Sequence, residues 1–306
     1  MAGDRILLIG DNPFQGVSHL SLERARMRSE ESSTPERAAQ VLKAALESGA
    51  DGFLMSVSDV SLDMLKALRH DTNPLGIYAI VPYTFALVRS AVRLGGIPGL
   101  GQEVAKDIVR SRNWRAVRSA ALGGALTDPG ALFEAYLHYE VGHIRAAHGP
   151  SARLESLLVH EIVTDMALAL DLDWMFRRLL GVARTYGVKP GLNTRNLPLL
   201  VEKLRRWNIP LDGMVFAAPF NAAGFQMAPT REACEATLAT LSTSEVIGFS
   251  LLAAGYIGPE EAYEYAISHP NMKGVALGAS RVEQARKTFS TFNQGFGRRR
   301  ALAVPA

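Results

Sequence analysis

Eight short apolar runs, separated by longer amphipathic stretches, constrain this chain more than any other feature. They span residues 5–10, 52–57, 76–81, 154–160, 189–193, 213–218, 245–250 and 274–278. None alternates polar with apolar residues, the pattern of strands buried on both faces of a parallel sheet. Between them, apolar residues recur at helical spacing. Thr34 followed by Pro35 predicts the cap and first residue of a helix that Gly49 ends. Asp59 is expected to cap a helix ending near His70. Thr194 or Asn196 should open one ending near Trp207, and Thr230, Pro259 and Ser280 should open later ones. Eight strand–helix units in a row predict a (β/α)8 TIM barrel of the α/β class. An open doubly wound sheet is the alternative, but it closes its pattern with fewer units.

Residues 83–150 break this rhythm. They read as three helices, at about 83–94, 102–122 and 129–148, with breaks at Pro98 and Pro129. The expectation is a helical insertion after the third strand, set over the C-terminal mouth as a lid or an oligomer contact. A homodimer is therefore one expected form. The domain reading is a single barrel over 1–292, with the insertion at about 83–150, followed by a basic tail over 293–306 that contains Arg298-Arg299-Arg300.

Composition narrows the class of function. The one cysteine, Cys234, excludes a disulfide framework and a multi-cysteine metal site, and it fits a reducing cytoplasm. The longest apolar stretch, 77–88, is too short to span a bilayer and is interrupted by Pro82. The apolar residues 6–9 are too few for a signal-peptide core. No membrane partner is expected. The formal net charge is +3, and the arginines at 110, 112, 115 and 118 form no coherent face with stacking aromatics. No nucleic-acid partner is expected either. A small-molecule substrate is.

In such a barrel, function sits at the C-terminal ends of strands. The first strand ends at Asp11 and Asn12, with His19 further along the loop. The third ends near Tyr83. The fourth ends in His160-Glu161-Ile162-Val163-Thr164-Asp165, the segment richest in chemistry. His160 is the expected acid–base group, and Asp11 and Asp165 are expected to position it or a metal ion. Asn12, His19, Tyr83, Asn193, Arg195 and Asn221 are the expected substrate contacts. Gly278, Ser280 and Arg281, at the end of the eighth strand, are the expected phosphate or cofactor contacts. Ordinary turns and helix caps compete for several of these residues, Asp11, Asp59 and Asn193 among them. The glycine-rich stretch 95–101 follows no strand and lacks the dinucleotide spacing. Walker, His-Glu-x-x-His and Gly-x-Ser-x-Gly motifs are absent.

Residues 154–292 resemble the aldo-keto reductase barrel. The resemblance lies in His160 closing a strand, in Gly191-Leu192-Asn193-Thr194-Arg195-Asn196, in residues 246–255 and in Val275-Ala276-Leu277-Gly278-Ala279-Ser280-Arg281. It implies a (β/α)8 fold and a cofactor phosphate held at the last of these segments. The family's Tyr and Lys have no counterpart here. The second strand ends Ser56-Val57-Ser58-Asp59 and the third Ile80-Val81-Pro82. The whole chain also resembles a little-described group of prokaryotic barrel proteins, through residues 12–19, 160–165, 190–194 and 220–227. The reading is a non-redox enzyme, a lyase, aldolase or isomerase, acting on a small phosphorylated or carbonyl-containing substrate. No lysine stands at a strand end to form a Schiff base. An NADPH-dependent reductase with a rearranged proton donor is the alternative, and a non-catalytic binding barrel the second. The cofactor is left open between none, a divalent metal and NADPH.

Overall fold

The computed structural model describes residues 5–15, 34–83 and 128–296. His19, the expected helices at 83–94 and 102–122, the arginines at 110–118 and the tail from 297 onward lie outside the described residues. Eight strands, β1 (Ile6–Gly10), β2 (Gly52–Ser56), β3 (Leu75–Val81), β4 (Ala152–Val159), β5 (Lys189–Asn193), β6 (Val215–Pro219), β7 (Glu245–Phe249) and β8 (Met272–Leu277), close into a barrel in chain order. All pairings are parallel, and β1 pairs with both β2 and β8. Closure excludes the open doubly wound sheet.

The pleat explains why the runs do not alternate. Leu8, Leu54, Tyr78, Ile80, Leu158, Val215, Ala217, Ile247 and Ala276 point inward and fill the barrel. Their neighbours, Leu7, Ile9, Phe53, Met55, Val159, Leu192, Phe216 and Val275 among them, point outward against the helices. Near the N-terminal end of the interior, the Tyr78 hydroxyl donates to Glu245 Oε1 at 3.3 Å, and Lys189 pairs with the same carboxylate. This polar layer fills the bottom of the barrel.

Nine helices are described: α1 (Pro35–Glu47), α2 (Asp59–Ala67), α3 (Pro129–Ala147), α4 (Glu161–Ala169), α5 (Asp173–Tyr186), α6 (Leu197–Arg206), α7 (Arg231–Ala239), α8 (Pro259–Ile267) and α9 (Val282–Gly295). Thr34, Asn196 and Thr230 cap α1, α6 and α7 as expected, each accepting a backbone N–H with its side chain. Ser58, not Asp59, caps α2, because its Oγ accepts the Ser61 N–H at 3.2 Å. Arg281, not Ser280, holds the N-cap position of α9. That helix reaches Gly295, beyond the barrel limit expected at 292. His160 falls just past the end of β4 rather than within it. Of the expected insertion, the described residues contain only α3, which packs against α2 and α5.

The tightest backbone approach is between β2 and β3. A Cβ on Gly52 would lie 2.1 Å from the carbonyl oxygen of Gly76. Gly181, on the exposed face of α5, would meet nothing within 4 Å. The two therefore predict opposite outcomes. Gly52→Ala should cost about 2 kcal/mol or more, since a paired backbone cannot give way. Gly181→Ala should gain about 0.5–1 kcal/mol from helix propensity. Denaturant unfolding of the two variants checks both signs.

Candidate active site at the barrel mouth

The C-terminal mouth holds a cavity of about 250 Å³. Its apolar floor is the top of the barrel interior: Leu54, Ile80, Phe249 and Ala276. Its polar wall comes from strand ends: Asp11, Asn12 and Ser56 on one side, His160, Glu161, Asn193 and Arg195 on the other, and Gln226, Ser250, Ser280 and Gln284 between.

Asp11 is 4% exposed and opens the turn after β1. Its Oδ2 accepts the Ser56 N–H at 2.7 Å, which ties the end of β1 to the end of β2. Gln15 Nε2 lies 3.4 Å from the same oxygen and also reaches the hydroxyls of Ser58 and Ser61. Burial pushes the Asp11 carboxyl up to about 6, against the hydrogen bonds from Ser56 and Gln15 that pull it down.

His160 is the N-cap of α4. Its Nδ1 accepts the Ile162 N–H at 3.2 Å, while its own peptide N–H donates to the Val81 carbonyl at 2.8 Å. A ring nitrogen that accepts a hydrogen bond carries no proton, so the neutral imidazole holds its proton on Nε2. Burial lowers the His160 pKa; the nearby Arg195 charge acts the same way and Glu161 opposes it. The cavity therefore meets a neutral imidazole with an Nε2–H donor.

Glu161 and Arg195 form an ion pair on the cavity wall. Arg195 Nε and Nη2 both donate to Glu161 Oε1, at 2.8 and 2.6 Å. Asp165, one turn further along α4, accepts the Arg195 backbone N–H at 3.3 Å and the Thr194 hydroxyl. It is absent from the described cavity wall. It fixes the turn after β5. Burial raises its pKa, against the Thr194 and Arg195 hydrogen bonds. Asn193, 6% exposed, lines the cavity, and its Oδ1 has no hydrogen-bond partner among the described residues.

Other expected contacts fall elsewhere. Asn221 is fully buried and spends its amide on the chain itself, with Nδ2 donating to the Phe225 carbonyl at 2.9 Å and Oδ1 accepting the Phe225 N–H at 2.7 Å. It builds the loop after β6 and is not among the described lining residues. That loop presents Gln226, whose positive φ of 62° turns it to the cavity wall. Tyr83 is half-buried, and neither it nor the exposed Arg281 is among the described lining residues. Gly278 and Ser280 do line the cavity. Gln226 and Gln284 escaped sequence reading. Gln226 depends on a loop with no local signal, whereas a glutamine four residues after a serine at a helix start was a readable cue for Gln284.

Two cofactor expectations can be tested on these residues. Among the described residues, no three His, Cys, Asp or Glu side chains are placed to hold a metal ion. Of the set considered from sequence, Asp165 is committed to the β5 turn and His19 is outside the described residues. Where the reductase resemblance puts a cofactor phosphate, the Ser280 N–H and Oγ both donate to Gln284 Oε1, at 3.1 and 3.3 Å. The Ser280 donors are thus already taken by the chain, while α9 begins at Arg281 with no side-chain cap, so a phosphate here would rest on the helix N–H groups and not on Ser280.

The buried Asp11 makes a stability prediction. Its folded pKa lies above its unfolded value of 3.8, so the folded protein binds the proton more tightly and gains stability as pH falls through about 6. At neutral pH the ionised carboxylate is destabilising, by roughly 2–3 kcal/mol. Asp11→Asn keeps an acceptor for Ser56 and should raise the melting temperature at pH 7. The gain should vanish near pH 4, and calorimetry at the two pH values measures it.

No family model and no curated protein matches this chain. Solved structures do. A Pseudomonas aeruginosa protein described as a candidate aldo-keto reductase superposes with a TM-score of 0.60 at 12% identity, covering 94% of this chain and 89% of its own. A second structure described in the same way, also from Pseudomonas aeruginosa, gives 0.59 at 13% identity, covering 94% and 90%. An aldo-keto reductase from a Medee basin deep-sea metagenome library gives 0.51 at 13% identity, covering 85% and 82%. At such identities the likeness speaks for architecture alone: this chain folds as an aldo-keto reductase-like (β/α)8 barrel.

Proposed function

We propose that this protein is a non-redox enzyme, a lyase or isomerase with aldol cleavage included, that moves a proton on the carbon beside a carbonyl group of a small substrate. The observation that carries this reading is the pairing, in one small cavity, of a buried carboxylate with a neutral imidazole donor. Burial moves their pKa values in opposite directions, Asp11 up to about 6 and His160 down. At neutral pH Asp11 is then ionised but basic enough to accept a proton, and His160 is a donor that does not compete for it.

The step follows from these states. The substrate carbonyl oxygen accepts a hydrogen bond from His160 Nε2–H. The Asp11 carboxylate takes a proton from the adjacent carbon, and the electron pair left behind forms the enol or enediolate, whose oxygen stays hydrogen-bonded to His160. In an isomerase Asp11 returns the proton to the former carbonyl carbon, while His160 Nε2 gives its proton to the former carbonyl oxygen and takes one from the adjacent hydroxyl, whose oxygen becomes the new carbonyl. In aldol cleavage Asp11 takes the proton of the β-hydroxyl instead, that oxygen forms a carbonyl as the carbon–carbon bond breaks, and the released electron pair forms the enolate held by His160; the reverse makes the bond. The floor of Leu54, Ile80, Phe249 and Ala276 keeps the reacting carbon away from water.

A second reading, NADPH-dependent reduction, has one observation in its favour: Gly278 and Ser280 line the same cavity. The Gln284 oxygen on Ser280, and the lack of the reductase Tyr and Lys, weigh against it.

Exchange of substrate protons with solvent deuterium tests the proposal. His160→Asn keeps a side chain able to cap α4 but removes Nε2–H, and it should slow exchange roughly a hundredfold or more. Asp11→Asn should do the same. The wild-type rate should rise with pH through about 6, as Asp11 ionises, with no fall from His160 above it, since the neutral ring persists there. A His160→Asn variant with wild-type exchange would overturn the assignment.

A further inference from the structure

We infer that the substrate carries an anionic group, a carboxylate or a phosphate, and that Arg195 selects it through the Nη1–Nη2 edge of its guanidinium. The inference rests on the acid–base reading above and names the class of carbonyl compound on which that chemistry acts.

A guanidinium has two edges that each offer a parallel pair of N–H groups. Glu161 takes the first edge, since Arg195 Nε and Nη2 both donate to its Oε1, at 2.8 and 2.6 Å. The second edge, formed by Nη1 and the other Nη2 proton, makes no hydrogen bond among the described residues. That edge is also open. The partnerless buried side-chain nitrogens and oxygens among the described residues are Asn193 Oδ1 and Arg231 Nε, so Arg195 Nη1 reaches solvent. The Arg195 side chain is 38% exposed and lines the mouth cavity. Glu161 fixes the guanidinium, and Asp165 fixes the turn it leaves from by accepting the Arg195 backbone N–H at 3.3 Å. An arginine tied on one edge and open on the other is pre-organised for an anion with two oxygens to offer.

The placement of charge points the same way. Arg195 is the one cation among the described lining residues. In a barrel closed in chain order, the end of β5 lies four strands from the end of β1 in either direction, so Arg195 stands across the mouth from Asp11. An anion held at Arg195 is thereby kept away from the ionised Asp11 carboxylate. His160 follows β4, beside β5, so its Nε2–H meets a carbonyl group next to that anion. The Glu161–Arg195 pair has no net charge. The gain therefore comes from two directed N–H groups, which sets a preference of about tenfold. The N-terminus of α9, which has no side-chain cap, borders the same cavity through Ser280 and Gln284 and is the competing anchor for an anion. It offers backbone N–H groups without a full charge. The cavity, at about 250 Å³, suits a molecule of a few carbons.

The test is a ligand-NMR titration of the full-length protein with dihydroxyacetone, hydroxypyruvate and dihydroxyacetone phosphate. All are hydroxymethyl ketones, and they differ in the group across the carbonyl: a hydroxymethyl, a carboxylate and a phosphorylated hydroxymethyl. At least one of the two anions should bind about tenfold more tightly than dihydroxyacetone, and which one does so identifies the group as carboxylate or phosphate. Arg195→Gln removes the charge and the paired donors, and it should abolish that preference. If Arg195→Gln does not fold by circular dichroism, Arg195→Lys replaces it. Its ammonium keeps the charge without a parallel pair of donors, and the preference should still fall severalfold. Dihydroxyacetone binding as tightly as both anions, or no binding of any probe, would overturn the inference. So would an unchanged preference in the folded variant, which would put the anion at the N-terminus of α9 instead. Its failure is separable from that of the acid–base reading. Arg195-dependent preference for an anion with no deuterium exchange would sink the acid–base reading alone. Deuterium exchange with no preference for either anion would sink this inference alone.

Discussion

A parallel strand has to pair its backbone on both sides and cover both its faces. An eight-strand barrel closed in chain order meets both demands at once, because no edge is left. Everything else in this molecule follows from that closure. The strands become apolar throughout, with one set of side chains filling the barrel and the other packing on the helices. Polar chemistry is then confined to the strand ends, where the chain turns outward. At the N-terminal end it is spent on a layer of Tyr78, Glu245 and Lys189. At the C-terminal end it surrounds a cavity.

The same burial that stabilises the barrel sets the chemistry of its mouth. Taking a carboxylate out of water favours its neutral form, and taking an imidazolium out of water favours the neutral ring. One cause therefore moves Asp11 up and His160 down, toward a state in which each can exchange or donate a proton at neutral pH. The hydrogen bonds around them fix geometry. Ser56 holds Asp11, and the α4 backbone holds His160 in one tautomer.

Much of this was legible in the sequence, and the reasons are specific. All eight strands were visible because double burial leaves short unbroken apolar runs. Helix starts at Thr34, Asn196 and Thr230 were visible because capping is a local interaction. Asp11, His160, Asn193 and Ser280 were found at the mouth because the strand-end rule is topological. What failed depended on contacts between distant segments. Asn221 and Asp165 have the right chemistry and the right strand ends, yet they are consumed by Phe225 and by the Thr194–Arg195 turn. Gln284 closes the turn after β8 from a helix position that strand-end reasoning does not visit. The choice between Ser58 and Asp59 as a cap turned on a single residue, the scale at which capping signals lose their resolution.

The most direct measurement is proton NMR of the wild-type protein with dihydroxyacetone in D₂O, first without any nicotinamide and then with NADPH added. Acid–base chemistry at Asp11 and His160 predicts that the protons beside the carbonyl exchange for deuterium without nicotinamide, and that NADPH changes neither the rate nor the products. No exchange until NADPH is added, with oxidation of the cofactor and appearance of the alcohol, would contradict it and make this barrel a reductase.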